Sequence, residues 1–307
     1  VIRRSLVFSG VIALMPAISS AAVILDDTFA DGSRGETSLP NESAVWASHA
    51  GGVTMGAGSL AFNQTTSSGS QKLWTHFAAD GAEIELAVGD QLIATIDFTP
   101  RVALYDNSST SFRFGLFNDP TDPQVASDTN SDGGGSGAPW TDSTGYAVQI
   151  ALTTGATASN NASVGKRTDQ ANSSLLGSSG AYTSTSGGAQ IVNVLDTQYT
   201  MTLALTRSAA DVMDVAFSIA DAGGVISTHS ITDDPNGVAA FGTGPIATKF
   251  EQLFFRFSNN TTTADVIDFG RFKIEHVQGQ AVPEPASLAL LGLCGAAAVA
   301  VRRRKSM

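Results

Sequence analysis

Between Tyr199 and Thr206 every second residue is apolar: Tyr199, Met201, Leu203 and Leu205 alternate with Thr200, Thr202, Ala204 and Thr206. Side chains of an extended chain point alternately to its two faces, so this period of two specifies a strand with one buried face. The same pattern places Leu92, Ala94, Ile96 and Phe98 on one face, then Phe112, Phe114 and Leu116, Val215, Phe217 and Ile219, and Leu253, Phe255 and Phe257. A last strand over residues 266–277 changes phase, with Ile267 and Phe269 on one face and Phe272 and Ile274 on the next, which predicts a bulge at Gly270. Weaker strands are expected near residues 53–62, 73–77, 146–152, 191–194 and 225–231. No long amphipathic helix competes with these segments.

About a dozen strands separated by Gly-, Ser-, Thr- and Asn-rich spacers predict an all-β fold, a two-sheet antiparallel β-sandwich of jelly-roll type. A β-helix is the rival, but no fixed-period repeat supports it. Two polar insertions, residues 118–143 and 153–188, are expected to be long loops, the usual place for a binding site on a rigid sheet.

Both ends differ from the body. Arg3 and Arg4 precede an apolar stretch over residues 6–18 and small residues Ser19, Ser20, Ala21 and Ala22, the order of a secretory signal peptide over residues 1–22 cleaved after Ala21 or Ala22. At the other end Pro283, Glu284 and Pro285 precede an apolar run over residues 286–301 and a basic cluster, Arg302, Arg303, Arg304 and Lys305. A helix rising about 1.5 Å per residue makes this run a short transmembrane segment, and the cations hold its far end in the cytoplasm. The body, residues 23–281, is therefore expected outside.

The charge balance narrows the partners. Six of the 17 basic residues and one of the 28 acidic residues lie in these ends, leaving 11 against 27, a body charge of −16. Such a body repels phosphate backbones and excludes nucleic acid as a partner. The one cysteine, Cys294, lies in the apolar tail, so the body holds no disulfide.

The ordered triple over residues 282–307 resembles the PEP-CTERM sorting signal of exported bacterial proteins. That resemblance implies recognition and processing by an exosortase-type membrane protease or transpeptidase, a tail held in the inner membrane before processing, and delivery to the cell envelope, cell surface or extracellular matrix of bacteria that make exopolysaccharide. A plain C-terminal anchor is the alternative. The body's opening, Asp26-Asp27-Thr28-Phe29-Ala30-Asp31-Gly32, and its closing, Asp268-Phe269-Gly270-Arg271-Phe272-Lys273-Ile274, resemble in pattern the concanavalin A-like lectin and glucanase jelly rolls. In those folds the first and last strands pair.

Three kinds of site are candidates. Asp128, Asn130 and Asp132, followed by Gly133, place oxygen ligands at alternate positions before a glycine, as in the first half of a calcium loop. Pro139 stands where an EF-hand would place Glu, so the loop would be completed instead by Asp119, Asp122 or Asp142 around a structural Ca2+. A second cation site, from Asp26, Asp27 and Asp268, follows from the expected pairing of first and last strands. For carbohydrate, Trp140, Tyr146, Tyr182 and Trp74 are the aromatic candidates, with Trp140 and Tyr182 in or beside polar loops and Trp74 the better candidate for packing.

Catalytic signatures are weak. Glu83 and Glu85 alternate but lack the three-acid pattern of jelly-roll glucanases, and no Gly-x-Ser-x-Gly elbow occurs. His49, His76, His229 and His276 are scattered. The expectation is an exported, non-enzymatic surface or matrix protein that binds carbohydrate; the alternative is a divergent polysaccharide hydrolase or lyase.

Overall fold

A computed structural model describes residues 21–35, 46–48, 52–56, 58–64, 70–101, 112–120, 124, 127–128, 140–150, 161–172, 175–176, 181–237, 241–242, 244–258 and 263–279. These residues contain seventeen strands. The first six are β1 (Ala21–Asp27), β2 (Trp46–Ser48), β3 (Val53–Gly56), β4 (Ser59–Gln64), β5 (Ser70–His76) and β6 (Ile84–Glu85). Next come β7 (Gln91–Pro100), β8 (Phe112–Asn118), β9 (Thr144–Ile150), β10 (Asn161–Arg167) and β11 (Tyr182–Gln190). The rest are β12 (Tyr199–Ala209), β13 (Val212–Asp221), β14 (Gly224–Asp233), β15 (Lys249–Phe250), β16 (Gln252–Ser258) and β17 (Thr263–Val277).

All pairings are antiparallel. One sheet runs β14-β13-β12-β7-β17-β4-β3, with β1 also on β17; the other runs β11-β10-β9-β8-β16-β5-β2; β15 and β6 form a small separate pair. This is the two-sheet sandwich that the alternation predicts. The long strand β17 organises the first sheet, because β7 follows one side of it while β4 and β1 divide the other. First and last described strands pair, with Ala21 opposite Val277 and Asp27 opposite Phe272. Ala21 and Ala22, the expected cleavage positions, begin β1.

The alternating residues fill the space between the sheets. Leu92, Ala94, Ile96 and Phe98 of β7 and Met201, Leu203 and Leu205 of β12 share one buried cluster with Phe112, Phe114 and Leu116 of β8 and Leu253, Phe255 and Phe257 of β16. The Phe98 and Phe112 rings join the two layers at 5.0 Å. Full burial of each such side chain contributes about 1.5–3 kcal/mol, so the periodic positions hold the sandwich together. The register of β17 against β7 breaks between Phe269 and Arg271, which places the bulge at Gly270 and lets Phe269 and Phe272 both enter the core.

Two expectations are corrected. The stretch over residues 153–188, expected as a polar loop, carries β10 and the start of β11, which pair with each other while β10 also pairs with β9. Their polar sequences form strands because the sheet supplies backbone partners. Residues 191–194, expected as a strand, hold only a single bridge at Val192 before a turn at Leu195 and Asp196, and Val192 and Val194 are exposed. Residues 1–20 of the signal peptide expected over 1–22, the expected sorting helix and the residues Pro283, Glu284, Pro285, Arg302, Arg303 and Arg304 lie outside the described residues.

Candidate functional site

The outer face of the seven-stranded sheet carries the most distinctive chemistry. Lys72 of β5 lies opposite Arg256 of β16, and Arg256 lies opposite Arg113 of β8. The same cross-strand row continues through Gln149 of β9 to Ser163 of β10 and Ser186 of β11. Beside it runs a second row: Trp74, Phe254, Gly115, Ala147, Gly165 and Ser184. Arg113 and Arg256 sit centrally in two Phe-Arg-Phe triplets whose phenylalanines point inward and whose arginines therefore point outward.

Part of this face is covered. Trp74, Phe117, Trp140, Ala147, Leu175, Leu176 and Phe254 form a second hydrophobic cluster, with Tyr182 packed against it. Trp74 stacks on Phe254 at 5.6 Å, and Trp140 meets Trp74 edge-on at 5.5 Å and Phe254 at 5.2 Å. The arginines tie the covering segments down. Leu176 offers its carbonyl to Arg113 Nη1 at 2.8 Å and to Arg256 Nη1 at 2.5 Å. Arg167 donates to the carbonyls of Trp140, Leu175 and Asn172, and the Tyr182 hydroxyl donates to the carbonyl of Leu175. Burial pushes the Tyr182 hydroxyl up to about 12 despite the nearby arginines, so it remains a donor at neutral pH. The same burial lowers the affinity of the Arg113 guanidinium for its proton.

Between this cover and β9–β11 is a cavity of about 40 Å³. Arg113, Gln149, Ser163, Leu176, Tyr182 and Ser184 line it, with Ala147 and Gly165 among its other neighbours. Ser184 is exposed and marks its rim. A polar-lined recess with an apolar floor is chemistry suited to one small polar group of a larger ligand.

The predicted aromatic platform is corrected by these positions. Trp74 and Trp140 are each 2% exposed and Tyr146 is 0% exposed, because the first two fill the second cluster and Tyr146 belongs to the main core. None of the three presents a ring face to solvent. The Tyr146 hydroxyl donates to Asp233 Oδ2 at 2.7 Å, and Lys166 Nζ lies 2.9 Å from the same oxygen. Lys166 also donates to the Gly244 carbonyl and lines a wider pocket of about 410 Å³ with Phe241 and Pro245. Only Tyr182, half-buried at the cavity wall, stays at a ligand-accessible position.

The predicted cation sites are also corrected where they are described. Asp26 and Asp27 are neighbours on β1, so their side chains leave opposite faces. Asp26 receives two hydrogen bonds from Arg271 at 2.6 Å each, while buried Asp27 accepts from Phe29 N at 2.8 Å and Trp46 Nε1 at 2.6 Å. Asp268 pairs with Arg101 at 2.5 Å. Each carboxylate has its own partner, and the three do not form one cation site.

Asp128 pairs with Arg34 at 2.9 and 3.0 Å and accepts from Ser48 N at 2.9 Å. Burial would raise its pKa, but these donors outweigh burial and hold the carboxyl below its ordinary value. Asn130, Asp132 and Asp122 lie outside the described residues. Among the described residues no three His, Cys, Asp or Glu side chains form a metal site. Glu83 and Glu85, the nearest approach to a catalytic acid pair, both lie 4.0 Å from Lys249 Nζ. The arrangement on the sheet was missed in the sequence because its row unites residues 72, 113 and 256; the shared Phe-Arg-Phe triplet was the available signal.

Residues 281–305 match the PEP-CTERM protein-sorting motif. A motif of this kind marks an exported protein with a C-terminal sorting tail. No curated protein matches the chain. Among solved structures it is similar to the VIP36 exoplasmic/lumenal domain in its Ca2+/Man2-bound form, with TM-score 0.48, 11% identity, and coverage of 85% of this chain and 90% of that one. Peanut lectin with a 9mer peptide gives 0.43, 9%, 85% and 98%, and lectin II from Ulex europaeus gives 0.44, 9%, 85% and 99%, in the same order.

Proposed function

We propose that this chain is an exported, non-enzymatic component of the cell surface or exopolysaccharide matrix that binds carbohydrate on the outer face of its seven-stranded sheet. The observation that carries the export half of this reading is the sorting motif at residues 281–305. On this reading an exosortase-type protease or transpeptidase processes the tail, and the body, residues 23–281, does its work outside the inner membrane. The binding half is supported by the recess of Arg113, Gln149, Ser163, Tyr182 and Ser184, whose donors suit sugar hydroxyl and carboxyl groups. Glu83 and Glu85 both lie 4.0 Å from Lys249 Nζ, and neither lines the recess, which suits binding better than hydrolysis.

The test is binding of residues 21–279, which contain all the described strands and both hydrophobic clusters, to the producing organism's own exopolysaccharide. Saturable binding is expected, and a loss of it in the presence of a chelator would bring a structural Ca2+ into the account. A folded sample that binds none of it would leave a structural coat protein and remove carbohydrate from the account.

A further inference from the structure

The chain leaves the body through a fixed exit. The end of β17 is held on both flanks, with Val277 opposite Gln91 of β7 and Ala21 of β1. Two residues further on, Gly279 N donates to Asp90 Oδ1 at 2.8 Å. Asp90 Oδ2 accepts from Ala87 N at 3.0 Å and lies 3.1 Å from His276 Nε2, so one carboxylate joins β17, the exit and the turn before β7. That turn is itself bonded to β12, since Gly89 N donates to the Arg207 carbonyl at 2.7 Å and Arg207 N to the Asp90 carbonyl at 3.0 Å. Gly279 also packs backbone to backbone on Gly89. A Cβ on Gly279 would stand 2.4 Å from the Gly89 carbonyl carbon, and Gly89 has a φ of +95°, which favours glycine. The contact adds no apolar side chain to a core whose last member on β17 is Ile274, so it fixes the exit and not the sandwich.

The matched sorting motif begins at residue 281, two residues past Gly279. A chain spans at most about 3.5 Å per residue, so the closed contact holds the first residue of the motif within about 7 Å of its anchor. Release of Gly279 moves the anchor back to Val277 and doubles that reach to about 14 Å. The sheet that carries β17 is seven strands broad along its main path, about 29 Å at the spacing of paired strands. A segment so close to so broad a body is shielded from an enzyme that must seat several residues of extended chain.

We infer that the contact of Gly279 with Gly89 and Asp90 is a latch that withholds the sorting motif from its processing enzyme, so that the tail is cut in molecules whose latch is open. The inference rests on the reading that the tail is processed and adds a control supplied by the body. The step it gates breaks one peptide bond: the carbonyl passes to water in a protease, or to an acceptor amine in a transpeptidase, and the tail leaves as the free amine. A bond from N–H to carboxylate favours the closed form by about tenfold or more, and an enzyme confined to the open form works on that minor fraction.

The test is a pulse-chase of the full chain in the producing organism, with precursor and processed bands read on immunoblots. Gly279→Ala drives its Cβ into Gly89 and opens the latch from the tail side. Gly89→Ala opens it from the body side, strained at φ +95° and with its Cβ 3.4 Å from the Gly279 Cα, and leaves the sequence around the motif untouched. Inserting two glycines after Gln280 leaves the latch closed but restores the longer reach. All three should convert precursor to product faster than the parent, by several-fold and up to about tenfold, while the body band survives added trypsin. Acceleration by Gly279→Ala alone, with every body intact, would assign the effect to the sequence that the enzyme reads and overturn the latch. Equal rates for the parent and the variants would overturn it and leave tail processing standing. No processed band from any of the four chains would overturn both readings.

Discussion

Glu251 shows how far a single carboxylate in this body is shaped by its surroundings. It is 1% exposed and accepts from Asp119 N at 2.9 Å and Gln124 Nε2 at 3.0 Å. Burial nevertheless raises its pKa above the ordinary value, and the charges of Asp80 and Glu83 add to the rise against those donors. A carboxyl with a raised folded pKa binds its proton more tightly in the native state, so stability falls as pH climbs from the unfolded value, about 4.3, through the folded one. Glu251→Gln removes that penalty and keeps an acceptor for Asp119 N, while Gln124 Nε2 retains its bond to the Ala78 carbonyl at 2.7 Å. The expected outcome is a higher melting temperature at pH 8, by roughly 2–4 °C for about 1 kcal/mol, and little change at pH 4. Equal shifts at both pH values would show that ionisation is not the cause. Asp90 has the opposite sign: burial raises it, but donors from Gly279 N, Ala87 N and His276 prevail and lower it, so its stabilising contribution is lost only as pH falls through its depressed folded pKa.

At the scale of elements, what was legible followed from alternation. Strands β7, β8, β12, β13 and β16 could be read because one face of each enters a single core, and β17 could be read with its bulge because Phe269 and Phe272 break phase across Gly270. β10 and β11 could not, since Thr183, Ser184 and Ser186 of β11 meet solvent and carry no periodic apolar signal. The site was hidden for a related reason. A tryptophan beside polar loops reads as exposed, yet segments containing Leu175 and Leu176 bring their own apolar surface to cover Trp74 and Trp140. Cross-strand rows are equally silent in a linear sequence, because register between β5, β16 and β8 joins distant positions.

Two glycines on these elements separate a sequence cue from a packing need. Gly270 marks the bulge, but a Cβ there meets nothing within 4 Å, so Gly270→Ala should change stability by less than about 0.5 kcal/mol in urea unfolding. At Gly115 a Cβ would lie 2.5 Å from the Tyr146 carbonyl oxygen and 2.7 Å from the Phe117 ring. Gly115→Ala should therefore cost about 1–3 kcal/mol by forcing β8, β9 and the second cluster apart. Indistinguishable unfolding midpoints for the two variants would refute this difference.

For the whole molecule, the sequence is more informative about delivery than about ligand. The sorting match at residues 281–305 is a short linear signal, whereas the binding face exists only after both sheets have formed. Delivery and binding should accordingly separate. Replacing Pro283, Glu284 and Pro285 together by alanine should leave an unprocessed precursor in the membrane fraction, visible as a larger band on immunoblots, while the 21–279 body keeps its affinity for glycan. A parent chain that itself stays unprocessed would show that the tail acts as a plain anchor. The place of β17 has a mechanical consequence for either outcome. Tension applied from the C-terminal side enters the body at Gly279 and runs straight into β17, which is bonded to β7 along one edge and to β1 and β4 along the other. Pulled along its axis, a strand held on both flanks loads many backbone bonds in parallel and resists as a shear clamp, where a lone edge strand would peel away one bond at a time.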